Sequence, residues 1–296
     1  MRKNWLMIAV WILLLLPTSL YAQSVRPETL AEADGQFVQV NGASIYYRER
    51  GPEDGPAVLL LHGFLGSTDD WNPVIDVLAG AGYRVIAFDR PPFGLSDKST
   101  ALDYSVTGQA TLTLGLMDAL GMARASLVGH SAGGSVAAQV ALTAPERVEK
   151  LALVSAAIEL GDGSGEPPNF GPLSFILEAD ADDPDAQRQL RDLITSPLAQ
   201  IFAGELVGRD MFQLEGWEGG LLAFVRDNLN VSDPMQATDL SVLTLPVALI
   251  WGERDEVVPL EVGERLHSAL PTARWVLFPE AGHMVMQDVT DAFNTT

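Results

Sequence analysis

The sequence predicts an α/β fold: a mostly parallel, twisted, eight-stranded sheet flanked by helices, with a helical stretch inserted ahead of its last two strands. Three observations carry that reading. Short apolar runs alternate with helical patterns across most of the 296 residues, the mark of parallel strands joined by crossover helices. Asn41-Gly42 separates two of the earliest runs, a hairpin signal that opens the sheet with an antiparallel pair. From Ala156 to about Asp239 the alternation stops and helical patterns replace it. A chain of this length holds one large domain and buries an ample core.

At the start, Arg2 and Lys3 precede twelve uninterrupted apolar residues, Trp5 to Leu16, and the following Pro17-Thr18-Ser19-Leu20-Tyr21-Ala22 ends on a small side chain. That order reads as a secretory signal peptide over residues 1–22, which places the protein outside the cell or in a periplasm. Twelve residues fall short of the roughly 20 that span a bilayer, so an uncleaved N-terminal anchor is the second reading. Candidate strands follow at residues 37–40, 45–48, 57–61, 84–88, 125–128, 150–154, 247–251 and 274–278. Residues 23–155 and 240–296 thus form the core, and residues 156–239 the insertion. The insertion opens on a glycine- and proline-rich loop and then carries Phe175, Ile176, Leu177, Ile201, Phe202, Met211, Phe212, Trp217 and Phe224. Most of these should pack it against the sheet, and the rest should line a pocket above the strand ends. After residue 283 there is little room for a terminal helix.

Chemistry is concentrated at one junction. Gly129-His130-Ser131-Ala132-Gly133 fits G-x-S-x-G where an apolar strand runs into a small-residue helix. So tight a turn needs glycine on both sides, and it holds a serine hydroxyl in the open with a helix N-terminus aimed at developing negative charge. Ser131 is the candidate nucleophile. A serine needs a base, and the chain has four histidines. His130 adjoins the serine with its ring expected to project away, His267 lies in a helical stretch of mixed polarity, and His62 suits a brace of backbone. His283 follows a strand at the sheet edge where open α/β folds carry their chemistry, and it is the candidate base. The imidazole needs an acceptor from the end of another strand. Asp255 is the first choice, Glu253 its close rival, and Glu159 or Asp162 lie further from the pattern.

These segments resemble the α/β-hydrolase superfamily over nearly the whole chain after residue 22. His62-Gly63-Phe64-Leu65-Gly66 resembles its H-G oxyanion loop, the run from Asp89 to Ser96 its D-x-x-G-x-G-x-S segment, and Trp251-Gly252-Glu253-Arg254-Asp255 with Pro259 its W-G-x-x-D-x-x-x-P acid loop. The resemblance implies Ser131 as nucleophile, Asp255 as acid, His283 as base, and the backbone N–H groups of Phe64 and Ala132 as the oxyanion hole. It implies a helical cap over residues 156–239 and a serine carboxylesterase or lipase-like activity on small-molecule acyl esters. Pro92 departs from the pattern, standing where the family usually has glycine.

Epoxide hydrolases and haloalkane dehalogenases share the loop segments but use an aspartate nucleophile, which Ser131 replaces. Carbon–carbon bond hydrolases do use serine and form the alternative. They usually carry tryptophan after the histidine, where this chain has Met284. A non-catalytic ligand-binding protein on the same scaffold is the third reading. Small to medium acyl groups are the expected preference.

Composition excludes other classes. The chain carries a net charge of −21. Without residues 1–22, which hold Arg2, Lys3 and no acidic residue, 16 basic residues face 39 acidic ones, a net of −23. Nucleic acid and anionic membranes repel such a surface. There is no cysteine, hence no disulfide and no lipid-bearing thiol. The acidic tract Asp180 to Asp185 lacks the glycine and terminal glutamate of a calcium loop. With no phosphate-cradling or metal-ligand motif present, neither cofactor nor metal is expected.

Overall fold

The computed structural model describes residues 25–158, 180–194, 210–229 and 239–296. The segment read as a signal peptide lies outside them, as do Glu159, Asp162, Phe175, Ile176, Leu177, Ile201 and Phe202.

All eight expected strands form. They are β1 (Gly35–Val40), β2 (Ala43–Arg50), β3 (Ala57–Leu61), β4 (Arg84–Phe88), β5 (Ala125–His130), β6 (Val148–Val154), β7 (Val247–Gly252) and β8 (Arg274–Phe278), in spatial order β1-β2-β4-β3-β5-β6-β7-β8. β2 pairs antiparallel with both β1 and β4, and every other pairing is parallel. Asn41 (φ 51°) and Gly42 (φ 89°) form the first turn, the two left-handed positions that a tight hairpin of this hand requires.

Helices cover both faces, which explains the uninterrupted apolar runs of the central strands. In chain order they are α1 (Asn72–Gly80), α2 (Val106–Ala119), α3 (Ala132–Thr143), α4 (Pro184–Ile194), α5 (Trp217–Leu229) and α6 (Leu260–Ala269), followed by the short α7 (Val285–Asp288) and α8 (Thr290–Phe293). Alternate strand residues point to opposite sides. Leu59, Leu61, Ile86, Leu127 and Leu249 pack with Leu116 of α2, Val136 of α3 and Leu266 of α6. Val58, Leu60, Val85 and Ile250 pack with Val74 of α1 and with Val285, Met286 and Phe293. The last three belong to α7 and α8, so the end of the chain does hold helices. A single turn fits four residues and leaves no periodicity to read, which is why the sequence did not announce it.

Within residues 156–239 the described part is helical, α4 and α5. Their apolar faces meet in a separate cluster that includes Leu190, Met211, Phe212, Trp217 and Phe224, joined by Phe93 and Tyr104 from loops of the sheet edge.

The chain turns back on itself at β3, with β4 on one side and β5 on the other. Such a reversal opens a crevice at the carboxyl ends of the strands. α3 closes on that point to unusual depth. A side chain on Gly133 would run into the carbonyl oxygens of Leu61 and His62, and one on Gly129 into the backbone of Gly133 and Gly134. Gly133→Ala should therefore lower unfolding stability by about 2 kcal/mol or more, since neither obstacle is a movable side chain. Gly80→Ala, in a helix with open space around the new methyl group, should leave stability unchanged or raise it by ~0.5 kcal/mol. Urea unfolding of the two variants checks the contrast.

Candidate active site

Ser131 occupies the junction of β5 and α3 at φ 51°, ψ −124°. A non-glycine residue there is strained by roughly 1–3 kcal/mol and persists only where its surroundings fix it. Three backbone bonds do so: the Ser131 N–H donates to Val154 O (2.9 Å), and its carbonyl accepts from the amides of Gly134 (2.9 Å) and Ala157 (3.1 Å).

β8 leads into the loop that carries His283, and β7 into the loop that carries Asp255. The structure brings these two side chains together: His283 Nδ1 lies 2.9 Å from Asp255 Oδ2 and 3.1 Å from Oδ1. An ionised carboxylate only accepts, so Nδ1 bears the proton and Nε2 is left as the basic nitrogen. Oδ1 also accepts from the amides of Val257 (3.0 Å) and Val258 (2.9 Å). Burial alone raises the Asp255 carboxyl, but the His283 hydrogen bond, the Val258 amide and the imidazole's charge hold it below the ordinary value of 3.8. The rival Glu253 is solvent-exposed, and its amide is bonded to Phe278 O.

His130 does more than adjoin the serine. Its Nε2 donates to the carbonyl of His283 (2.9 Å), and the two rings lie 4.6 Å apart. Burial, the first cause, and the neighbouring His283 push it down to about 3, so it is a neutral donor at physiological pH. Ser131 thus sits one residue from the ring pair. Its hydroxyl has no hydrogen bond to the imidazole among the described residues, as is common in unliganded acid–base sites. Nothing in the sequence pointed to the His130 clamp, because it joins residues 153 positions apart.

The loop after β3 lies against the serine: a Cβ on Gly63 would stand 3.0 Å from Ser131 Cβ. Among the described residues, neither the Phe64 nor the Ala132 amide has a hydrogen-bond acceptor. His62 is a brace of backbone, as its position suggested. It accepts at Nε2 from the Arg90 amide (2.8 Å) and therefore donates at Nδ1 to Gly63 O (2.8 Å). Arg90, fully buried, donates from Nε to His62 O (2.9 Å), from one terminal nitrogen to Gly63 O (3.2 Å), and from the other to Gln109 Oε1. Burial pushes its guanidinium down to about 9, which leaves it cationic at neutral pH. Next to it, Asp89 accepts from the amides of Thr68 (2.6 Å) and Leu95 (2.7 Å), and burial raises its carboxyl to about 7. The departing residue Pro92 follows a cis peptide bond.

Phe64 is 46% exposed and forms one wall with Phe93 (5.6 Å) and Phe224 (5.6 Å), the latter two 4.8 Å from each other. His267 lies elsewhere, stacked on Trp275 at 5.5 Å. Among the described residues no group of histidine and acidic side chains is placed to hold a metal. Asp180 and Asp183 instead accept from the amides of Asp182 and Asp185 at the entrance to α4. No helix among the described residues is long and apolar enough to cross a membrane.

The sheet order and the serine elbow define an α/β-hydrolase framework. Comparison with known proteins gives the same answer. Residues 56–288 match the family model of the alpha/beta hydrolase fold. The chain is 30% identical over 256 residues to the uncharacterized hydrolase YugF of Bacillus subtilis, covering 84% of this chain and 91% of that one. It is 32% identical over 262 residues to a 2-hydroxy-6-oxononadienedioate/2-hydroxy-6-oxononatrienedioate hydrolase of Burkholderia vietnamiensis, covering 84% and 88%. The solved structure of a membrane phospholipase A, a bacterial virulence factor, aligns with a TM-score of 0.63 and 28% identity over 99% of this chain and 93% of that one. The chain belongs to the α/β-hydrolase fold family, and the protein is a hydrolase.

The Asp255–His283 pair has a consequence for acid stability. A carboxyl whose folded value lies below its unfolded one stabilises the protein fully above the unfolded pKa, and that share is lost as pH falls through the folded value. Between pH 5 and 2 the wild type should therefore lose more stability than Asp255→Asn, with the difference confined to the region below about pH 4. Urea midpoints measured across that range check it.

Proposed function

We propose that the protein is a serine hydrolase that cleaves carboxylic esters through an acyl-enzyme, with Ser131 as nucleophile, His283 as base and Asp255 as its orienting acid. The observation that carries the proposal is the 2.9 Å contact between His283 Nδ1 and Asp255, which leaves Nε2 basic on a ring 4.6 Å from that of His130, the residue before Ser131. His283 takes the Ser131 proton as Oγ attacks the carbonyl carbon, and the Phe64 and Ala132 amides receive the oxyanion. On collapse of that intermediate the C–O bond to the alcohol breaks, and His283 returns the proton to the leaving oxygen. Water then repeats the sequence on the acyl-enzyme and releases the acid.

Residues 156–239 act as a cap in this reading, and Phe64, Phe93 and Phe224 form the wall against which an acyl chain packs. The similarity to a phospholipase A, itself an ester hydrolase, supports ester chemistry, and the segment at residues 1–22 supports work outside the cytoplasm. Similarity to a hydrolase of oxo-dienedioates supports the second reading, carbon–carbon bond cleavage. Against it stand Met284 in place of tryptophan and the full burial of Arg90, which turns Nε and both terminal nitrogens to the protein rather than to an anionic substrate.

Purified protein should form a stoichiometric fluorophosphonate adduct that Ser131→Ala abolishes, and it should hydrolyse p-nitrophenyl esters far faster than a dienone ring-cleavage product. Asp255→Asn should lower kcat on esters by about 10³- to 10⁴-fold. Absence of the adduct from the wild type sinks the proposal, and a preference for the dienone transfers it to the second reading. Phe224→Ala should raise the ratio of octanoate to butyrate kcat/KM by about 10-fold, because it opens the wall by several methylene groups. An unchanged ratio would remove Phe224 from the acyl site.

A further inference from the structure

The oxyanion loop is held by a charge that the ester-cleaving chemistry does not itself employ. Arg90 is a fully buried arginine in a loop between β4 and α2, and it reaches across to the backbone that follows β3. The acceptor that matters is Gly63 O. It receives three donors at once, the Arg90 guanidinium (3.2 Å), His62 Nδ1 (2.8 Å) and the Gly66 amide (3.2 Å), and the guanidinium is the one that carries charge. The His62 ring is fixed in the required tautomer because its other nitrogen accepts from the Arg90 amide (2.8 Å). A second guanidinium bond, to His62 O (2.9 Å), fixes the preceding peptide unit as well.

A trans peptide is planar, with N–H and C=O pointing in opposite directions. The unit that contains Gly63 O also contains the Phe64 N–H. Anchoring the oxygen on the Arg90 side therefore leaves that N–H directed away from Arg90. The amide has no acceptor there among the described residues, while Gly63 abuts Ser131. Two effects follow. The peptide is prevented from rotating its donor out of place, and a cationic donor on a carbonyl polarises the N–H of the same unit, strengthening it in a region of low dielectric.

We propose that Arg90 is a positioning residue for oxyanion binding, acting through the Gly63 carbonyl to orient and polarise the Phe64 N–H. The proposal rests on the serine-hydrolase reading. Gln109 completes the device: it accepts from the guanidinium and donates from Nε2 to Tyr104 O (2.9 Å), which ties Arg90 to the start of α2.

The test compares wild type, Arg90→Gln, Arg90→Lys and Gln109→Leu in three measurements: fluorophosphonate labelling, kcat and KM on p-nitrophenyl butyrate, and affinity for an alkyl trifluoromethyl ketone. Ser131 Oγ adds to the ketone carbonyl, its proton passes to His283, and the new alkoxide occupies the oxyanion position. Loss of a whole oxyanion donor lowers kcat by about 10²- to 10³-fold. Arg90→Gln, which leaves the donor present but its carbonyl without a cationic partner, should lower kcat by about 10- to 100-fold at a KM within about threefold, and weaken the ketone by the same factor as kcat. Arg90→Lys should recover part of both losses, and Gln109→Leu should show a smaller loss of the same pattern, which serves if Arg90→Gln does not fold.

A fall in kcat with unchanged ketone affinity overturns the proposal, as does equal activity of the Gln and wild-type proteins or a loss of thermal stability with neither kinetic change. Failure of the wild type to label with fluorophosphonate would instead overturn the serine-hydrolase reading, whatever the Arg90 variants do.

Discussion

The closeness of α3 to the ends of β3 and β5 is the constraint on which the rest depends. Glycine at 129 and 133 lets helix backbone and strand backbone approach to a distance that any side chain would prevent. Ser131, between them, is then forced to φ 51° and held there by β6 through Val154 O. The same approach sets the loop after β3 against the serine. Ser131 and the amides of Phe64 and Ala132 are thus positioned by backbone packing, the least adjustable material the chain has. Asp255 and His283 are placed differently, by the loops after β7 and β8 and by the ring of His130.

The fold was legible because it is written in burial. Central strands with helices on both faces must be apolar at nearly every position, and the runs at residues 57–61, 84–88 and 247–251 say so without ambiguity. The hairpin was legible for a local reason, the left-handed pair Asn41-Gly42. Asp255 and His283 could be singled out because each follows a strand at the edge where the crevice opens, and the structure joins them directly. Residues 156–239 showed only their helical character, since packing of helices onto loops carries no register in sequence.

What could not be read has a common cause. His130 and Arg90 make contacts with backbone carbonyls far away in the chain, at His283, His62 and Gly63, and Gln109 joins them through the Arg90 guanidinium. A backbone acceptor has no identity in sequence, so no spacing reveals which side chain serves it. Arg90 in particular looks like an ordinary loop charge, yet it is fully buried with every nitrogen engaged. The short helices after His283 escaped for want of length.

The separation of the third apolar cluster has a thermodynamic meaning of its own. Leu190, Met211, Trp217 and Phe224 share their contacts with Phe93 and Tyr104 but not with the strands beneath, while the two layers of the sheet are complete without them. Leu214 of the same lobe packs with Tyr46 of β2 and Phe37 of β1, which ties it to the edge of the sheet. Stability is not uniform in such an arrangement, and substitutions within the cluster act first on how firmly the lobe is seated.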